Sequence, residues 1–385
     1  MARVLDGVRV IDLTSGIAGP GSAMYLADQG AEVVRIEPPP TEASGDPLAA
    51  GGTGFVVQNR NKRSVTLNLG KPEGKAVFRK LVERSDVLIN NMRLSAAAKL
   101  GVDYPSVRAV NPRLIYGSIT AYGTQGPYAG KAGYDRLTQG FSGAMYRRWE
   151  NGTPVSTGIF LSDPSIPMLM GYGIALALLQ REKTGEGQMV ETSLLQAAIA
   201  MQMTNLVKRE NSAEPLRDLD VPAYGIYRCS DDTFINVTAL LPGQFRRLCT
   251  LLDIEHVADD PRANDSTKLK EFKEDIYPII EAIFETKPSA EWLTLLDAAD
   301  VPAAPVLERD QVFNEPQMVE NNMFVRLEHP IAGAVLSFAP PLRLSGSDPV
   351  THRAPPPLGG HTAEVLGELG YRPEDLEALR SLGVV

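Results

Sequence analysis

The feature that most constrains the fold is a strand–turn–helix–strand pattern near the start of the sequence. An apolar run at residues 8–13 predicts a buried strand, and the glycine-rich turn TSGIAGP follows it. A helix is predicted from about residue 21 to residue 29, and a second apolar run occupies residues 32–36. This is a βαβ unit, which implies parallel strands joined by a helical crossover. The chain is therefore predicted to be an α/β protein with a parallel, doubly wound sheet.

The same alternation continues to about residue 120. Further apolar runs predict strands at residues 65–69, 86–89 and 114–119. A later run predicts one more strand at residues 188–191. The stretch 39–57 is rich in Gly, Pro and Ala and is predicted to be a long loop. Ligands of open parallel sheets bind beyond the carboxyl ends of the strands. We therefore expect Gly16, Asn91 and Gly123 to lie along one edge of the sheet.

A change in the pattern of predicted elements divides the chain into two parts. Residues 208–220 are polar and unpatterned and predict a linker. Beyond it, the sequence predicts a hairpin at residues 223–239 and helices at residues 244–252, 268–284 and 290–296. An irregular proline-rich stretch at residues 301–306, a strand at residues 333–344 and a closing helix at residues 361–369 follow. We expect a large domain formed by residues 1–207 and 310–385, and a smaller α+β domain formed by residues 221–300.

Composition excludes several classes of function. The 385 residues are 43% hydrophobic and 22% charged, which is typical of a globular enzyme, and the formal net charge of -9 argues against nucleic acid or anionic membranes as partners. Two cysteines and four histidines without metal-like spacing predict a reducing cytoplasm and no metal site. We also expect no signal peptide and no membrane span.

Asp163 is the strongest candidate for chemistry in the sequence. It follows the apolar residues 159–161 and precedes an apolar helix predicted to run to about Glu182. Asp followed by Pro is typical of a helix start, so Asp163 fits the role of an N-cap. A carboxylate fixed at such a corner among apolar residues equally fits a nucleophile. The stretch by itself leaves both interpretations open.

Two other motifs suggest anion binding. The basic run NRNKRS at residues 59–64 fits either a phosphate site or a solvated turn. The glycine turn, with an acid at the end of the second strand, resembles a dinucleotide site. Its spacing, GIAGPG, is not G-x-G-x-x-G, and Pro20 removes an N–H that would face a phosphate. A nicotinamide-dependent dehydrogenase is therefore the weaker alternative.

Many short motifs along nearly the whole chain resemble the family III CoA-transferases, a group that also includes the alpha-methylacyl-CoA racemases. The resembling motifs, in chain order, are GVRVIDLTSGIAGP, GAEVVRIEPP, QNRNKRSVTLNL, VLINNMR, NPRLIYGSITAYGTQGP, GYDRLTQGFSG, TGEGQMVETSL, VPAAPV and GGHT. The resemblance favours Asp163 as a nucleophile over Asp163 as only a cap.

The resemblance implies a fold and a mechanism. It implies an interlocked homodimer, with a Rossmann-like CoA-binding large domain made from both ends of the chain and a smaller domain. It implies that Asp163 attacks an acyl-CoA to give an acyl-aspartyl anhydride, which coenzyme A converts to an aspartyl-CoA thioester before a carboxylic acid accepts the CoA. Coenzyme A is then a cosubstrate, and no permanent cofactor is needed. Backbone N–H groups at the helix start or in glycine turns are expected to stabilise the oxyanion.

The resemblance also assigns residues to coenzyme A. The positions that match the CoA-binding motifs are Gly16, Ile17, Ala18, Leu67, Asn91 and Met92, with Lys99 and Lys131 as cations for the phosphates. Pro38 stands where relatives often carry an arginine. Residues 237–245 lack the glycine-only loop of oxalate-using relatives, so formyl-CoA and oxalate are not favoured. Dicarboxylic, hydroxy, aromatic and steroid-type acids all stay open.

Tyr134, Asp135 and Gln139 are expected in the substrate pocket. The racemases carry a His-Asp pair where this chain has Tyr134-Asp135, because moving an alpha proton requires an acid and a base. Tyrosine, with an ordinary pKa of about 10, is a poor replacement. A racemase is therefore a less favoured alternative, as is a CoA-binding scaffold in which Asp163 is only a cap. Tyr134 fits either a hydrogen bond to an intermediate or packing in a turn.

Overall fold

The structure is a computed structural model that describes residues 3–40, 47–208, 210, 223–264, 268–330, 332–348 and 352–385. The expected linker at residues 208–220 lies outside the described residues except for Lys208 and Glu210. No helix within the described ranges combines the length and apolar character that crossing a membrane requires.

The described residues form thirteen strands. In chain order they are β1 (Arg9–Leu13), β2 (Glu32–Glu37), β3 (Lys62–Thr66), β4 (Val87–Asn90), β5 (Ile115–Thr120), β6 (Trp149–Glu150), β7 (Thr153–Pro154), β8 (Met189–Ser193), β9 (Ala223–Arg228), β10 (Phe234–Ala239), β11 (Ala303–Pro305), β12 (Phe324–His329) and β13 (Gly333–Phe338).

The same residues form fifteen α-helices. They are α1 (Ala18–Ala27), α2 (Pro47–Gln58), α3 (Pro72–Glu83), α4 (Leu94–Leu100), α5 (Tyr104–Val110), α6 (Asp135–Phe141), α7 (Ser162–Thr184), α8 (Leu194–Ala200), α9 (Pro242–Leu251), α10 (Glu255–Ala258), α11 (Leu269–Phe284), α12 (Ser289–Ala298), α13 (Pro316–Glu320), α14 (Thr362–Glu368) and α15 (Pro373–Ser381).

A six-stranded parallel sheet lies at the centre of the fold. Its strand order is β3-β2-β1-β4-β5-β8, and every neighbouring pair runs parallel. The order reverses between β1 and β4, where Leu13 pairs with Asn90. The prediction of an α/β protein with a parallel sheet is confirmed, and the reversal creates the crevice in which such sheets bind ligands.

Alternate residues of the strands build two hydrophobic cores. Ile11 and Val34 face a core completed by α3, α14 and α15, whereas Val10 and Val33 face a core completed by α1, α7 and α8. Because side chains alternate across a strand, apolar residues at successive positions need helices on both faces. The nearly continuous apolar runs in the sequence reflect this double burial.

The chain forms two compact units. The first contains Met1–Leu206 and Asn322–Val385, and the second contains Val207–Asn321. The second unit has an antiparallel sheet in the order β11-β10-β9 and a core formed with α9, α11 and α12. The structure assigns residues 310–321 to the second unit, whereas the sequence analysis placed them in the returning part of the large domain.

Two expectations about irregular segments are wrong. The stretch 39–57 contains α2, and Val56 of that helix is buried against Leu327 and Val335 of the β12–β13 hairpin. The proline-rich stretch 301–306 contains β11, in which Pro305 lies opposite Ile235 at the edge of its sheet. Proline is compatible with an edge strand because the outer side needs no N–H donor. In both segments tertiary contacts outweigh local composition.

The basic run at residues 59–64 is neither a phosphate site nor a solvated turn. Arg60 is 0% exposed, and its Nε and Nη2 donate to Asp28 at 3.0 and 2.6 Å. Lys62 is 5% exposed, and its Nζ donates to Asp12 at 2.8 Å and to the Pro20 carbonyl at 2.7 Å. These two cations neutralise Asp12 of β1 and Asp28, the C-cap residue of α1, inside the fold.

Candidate active site

A cleft of about 670 Å³ lies at the carboxyl edge of the parallel sheet, where the strand order reverses. Its lining comes from the turns after β1, β4 and β5, from residues 130–136 and from the start of α7. The turn after β1 is tied to the turn after β4, because Ser15 N–H donates to Asn91 Oδ1 at 3.0 Å and Asn91 Nδ2 donates to the Ser15 carbonyl at 2.7 Å. Gly16, at a φ of 77°, makes the sharp turn into α1.

The structure brings most of the predicted site residues into this cleft. Those that line it are Gly16, Ile17, Ala18, Asn91, Met92, Lys131, Tyr134, Asp135 and Asp163. Three others lie elsewhere. The side chain of Leu67 is buried in the core of the sheet, Lys99 lies in the last turn of α4, and Gln139 is buried beside Asp135.

Asp163 is the second residue of α7 and is not its N-cap. The cap position belongs to Leu161, whose side chain cannot accept a hydrogen bond. The helix start is instead capped by Asp135 of α6, and Asp163 is one of the residues whose backbone N–H donates to it, at 3.1 Å. The interpretation of Asp163 as a helix cap is therefore wrong, because a more deeply buried carboxylate already occupies that place.

The carboxyl group of Asp163 has an unusual environment for an aspartate. It is half-buried, and burial is the main cause that raises its pKa to about 6. The nearby carboxylate of Asp135 raises the pKa of Asp163 further. A carboxyl group with this pKa is mostly ionised at neutral pH and is more basic than an ordinary aspartate. It is suited to attack an electrophile.

The donors at the start of α7 are already used. The N–H groups of Leu161, Ser162 and Asp163 all donate to Asp135. The N–H of Gly123 donates to Thr120 Oγ1 at 3.0 Å. The expectation that the helix start supplies oxyanion donors is therefore wrong. Within the described part of the chain, the backbone N–H groups of Gly16 and Ile17 have no acceptor and remain available to an anion.

The sequence analysis missed two cations that line the cleft, Arg93 and Arg136. Both side chains are exposed, and neither has an acidic partner among the described residues. Arg93 directly follows Asn91-Met92, and Arg136 directly follows Tyr134-Asp135. Their position next to predicted site residues was the sequence signal that could have identified both arginines as part of the site. The basic run at residues 59–64 was the more conspicuous charge feature, and it is internal.

The fold and the cleft define an α/β protein with a cleft at the switch point of its parallel sheet, lined by cations and by a carboxylate of raised pKa. The chain matches CoA-transferase family III over residues 5–362. It is 34% identical to a succinate–glutarate CoA-transferase of Agrobacterium fabrum, over 95% of each chain. It is 32% identical to a human succinyl-CoA:glutarate CoA-transferase, over all of this chain and 90% of that one.

Its fold is similar to the crystal structure of Rv3272 from Mycobacterium tuberculosis, with a TM-score of 0.84, 27% identity, and coverage of 94% of this chain and 99% of that one. The chain therefore belongs to CoA-transferase family III and is a CoA-transferase. The resemblance inferred from the sequence motifs is confirmed. The Agrobacterium fabrum and human relatives are both named as CoA-transferases, which does not favour the racemase alternative.

Proposed function

We propose that this enzyme transfers coenzyme A from an acyl-CoA to a carboxylic acid, with Asp163 as the nucleophile. The observation that carries the proposal is the position of Asp163 in the cleft, half-buried and with a pKa of about 6. Exchange between a thioester and a carboxylate is close to isoenergetic, so the reaction needs no other energy source. An aspartate that is ionised at neutral pH needs no separate base.

The proposed reaction has four steps that balance. An oxygen of Asp163 attacks the thioester carbon, the C–S bond breaks, and coenzyme A leaves as the thiolate. The thiolate attacks the Asp163 carbonyl of the resulting anhydride and releases the donor acid, which leaves an aspartyl-CoA thioester. The acceptor carboxylate attacks that thioester and displaces the thiolate. The thiolate then attacks the acceptor acyl carbon, which forms the new acyl-CoA and frees Asp163.

The residues around Asp163 have separate roles in this proposal. Gly16 and Ile17 offer free backbone N–H groups to the anionic ligand, and Asn91 holds the turn that carries them. Tyr134, which is 72% exposed and lines the cleft, is placed to donate to an intermediate. Ala18, Met92 and Lys131 contact coenzyme A from the cleft walls. The side chain of Leu67 is buried, so this proposal gives it no contact with the ligand.

We propose short dicarboxylic acids as the acyl groups. Two relatives at 34% and 32% identity are named for succinate or succinyl-CoA together with glutarate. Arg136 lines the cleft with Asp163 and has no acidic partner within the described ranges. A guanidinium binds a carboxylate in a bidentate pair, so Arg136 is suited to the second carboxylate of a diacid.

The acceptor class is tested by comparing glutarate with its monoacid analogue valerate. Arg136→Gln is expected to raise the KM for glutarate about tenfold or more, because a charge-assisted pair is lost. The KM for valerate and for the acyl-CoA is expected to stay within about twofold. Arg93→Gln is the matched control, since Arg93 is another arginine of the cleft without an acidic partner among the described residues. An equal loss for valerate and glutarate in Arg136→Gln would contradict the diacid proposal.

The nucleophile is tested by trapping. The protein is incubated briefly with succinyl-CoA and then with hydroxylamine, which converts an anhydride or thioester of an aspartate to a hydroxamate. Peptide mass spectrometry is expected to locate the hydroxamate at Asp163. Asp163→Asn is the control and is expected to give neither the adduct nor any transfer. Transfer by Asp163→Asn within tenfold of wild type would overturn the assignment.

A further inference from the structure

We infer that Asp135 is a positioning residue for Asp163. Its buried carboxylate fixes the backbone from which the nucleophile projects and keeps a second negative charge beside it. The inference rests on the proposed role of Asp163 as the nucleophile. It differs from the expectation of the sequence analysis, which placed Asp135 in the substrate pocket without a role.

One oxygen of Asp135 holds the start of α7. Asp135 Oδ2 accepts from the backbone N–H groups of Leu161 and Ser162 at 2.7 Å each and of Asp163 at 3.1 Å. It also accepts from Ser162 Oγ at 3.2 Å. An ordinary N-cap side chain comes from the residue next to the helix and accepts from one or two N–H groups. Here the cap comes from another helix and holds three consecutive groups, including that of Asp163.

The other oxygen of Asp135 extends the support to the loop before α7. Asp135 Oδ1 accepts from Gln139 Nε2, which also donates to the Ile159 carbonyl at 3.0 Å. Gln139 Oε1 accepts from the N–H and the Oγ1 of Thr157, both at 3.2 Å. Asp135 is 1% exposed and Gln139 is also 1% exposed. These contacts make α6, residues 157–161 and the start of α7 one hydrogen-bonded corner.

Asp135 acts on the nucleophile through its negative charge as well as through its hydrogen bonds. Both residues line the same cleft, and the other charged or titratable side chains that line it are Arg93, Tyr122, Lys131, Tyr134 and Arg136. Burial and the charge of Asp135 together raise the pKa of Asp163. A neutral residue in place of Asp135 therefore makes Asp163 less basic and weakens its attack on the thioester.

Asp135→Asn removes the negative charge and keeps one oxygen that accepts from the backbone N–H groups, while its NH2 group replaces the oxygen that accepts from Gln139 Nε2. Gln139→Leu, which removes that contact and keeps the charge, shows how much of the effect comes from the lost contact. We expect the acid limb of the kcat–pH profile to move to lower pH. We expect kcat at pH 7.5 to fall about tenfold or more, with the KM for succinyl-CoA within about twofold. Asp135→Ala loses the cap as well and is expected to lose more activity. Asp103→Asn, at the start of α5 and not among the residues that line the cleft, is the matched control.

A stability measurement tests the inference without using transfer activity. Asp163→Asn is made in the wild-type and the Asp135→Asn backgrounds, and urea unfolding is followed between pH 4 and pH 8. We expect the pH-dependent stabilisation by Asp163→Asn to be smaller when Asp135 is already neutral. An equal effect in both backgrounds, together with an unshifted kcat–pH profile in Asp135→Asn, would overturn the inference. Absence of transfer in the wild type would overturn the proposed function, and the stability cycle would still decide the role of Asp135.

Discussion

The carboxyl group of Asp163 takes up a proton more readily in the folded chain than in the unfolded chain. The reason is that burial and the charge of Asp135 disfavour its ionised form in the folded state. Its folded pKa of about 6 exceeds the unfolded value of 3.8. The stability that the protonated group contributes is complete below about pH 4 and is lost as the pH rises through 6. Transfer activity is expected to change in the opposite direction, falling as the pH drops below about 6.

Asp163→Asn is therefore expected to abolish transfer and to stabilise the fold at pH 8. The gain is about 1 kcal/mol after allowance for the solvent that still reaches the group, and it disappears near pH 4. Urea unfolding of both proteins at the two pH values measures it. A substitution that destabilises the chain equally at pH 4 and pH 8 would contradict the assigned pKa shift.

For single residues, the sequence predicted which side chains lie in the same cleft better than it predicted the role of each side chain. Gly16, Asn91 and Gly123 line one cleft as expected, because parallel strands end at the same edge of a sheet. Asp135 and Asp163, which the family resemblance placed in the site, line the same cleft. The cap of α7 could not be predicted, because it comes from a side chain distant in sequence. The run containing Arg60 and Lys62 was misinterpreted for the same reason. Their partners, Asp28 and Asp12, precede them in the sequence by 32 and 50 residues.

At the scale of elements, the α6–α7 corner depends on Gln139. Gln139→Leu keeps the size of the side chain and removes every hydrogen bond to residues 157–159. We expect the amide of Thr157, which donates to Gln139 Oε1, to lose its protection from hydrogen exchange. We also expect kcat to fall while the KM for the acyl-CoA changes little.

Hydrogen exchange followed by mass spectrometry, together with steady-state kinetics, checks this prediction. Gln202→Leu is a useful control, because Gln202 is a buried glutamine of the same unit whose side chain donates to the carbonyls of Ser142 and Ala198. Faster exchange at residues 157–161 in both variants would show a general loosening of the unit rather than a local role for Gln139.

The elements that the sequence predicted well are those with a strong periodic signal. The strands β1, β2, β4 and β5 and the helix α7 were placed to within a few residues. The helix α2 and the strand β11 were missed because Gly and Pro dominate their local signal. Val56 is held in place by Leu327 and Val335, which lie far away in the sequence. Local composition contains no information about such partners.

At the scale of the whole molecule, α7 has apolar residues on more than its buried side. Met168, Tyr172, Leu176 and Leu179 are all exposed and recur at helical spacing. We propose that a second copy of the chain covers this stripe, in agreement with the interlocked homodimer that the family resemblance implied. Exposed apolar stripes of this kind usually mark protein interfaces.

Tyr172→Glu combined with Leu176→Glu is expected to prevent this association, because two charges would be buried in an apolar contact. Sedimentation velocity at micromolar concentration measures the mass of the variant and of the wild type. Lys183→Glu, which changes a charged residue in the last turn of α7, is the control and is expected to leave the wild-type mass. A wild type that sediments as a monomer would contradict the proposal.

The first unit is completed by residues from its last segment. The N–H of Thr66 donates to Thr362 Oγ1 at 3.0 Å, and the N–H of Asn68 donates to the Val384 carbonyl at 2.7 Å. Leu366 and Val384 are both fully buried in the core on that face of the sheet.

This arrangement has a consequence for biosynthesis. The second unit is one continuous segment, so all of its core has left the ribosome before residues 362–384 exist. The first unit begins the chain but cannot close one face of its sheet until those residues arrive. Nascent chains halted just before residue 362 are therefore expected to contain a folded second unit and a first unit that remains open to chaperones and proteases.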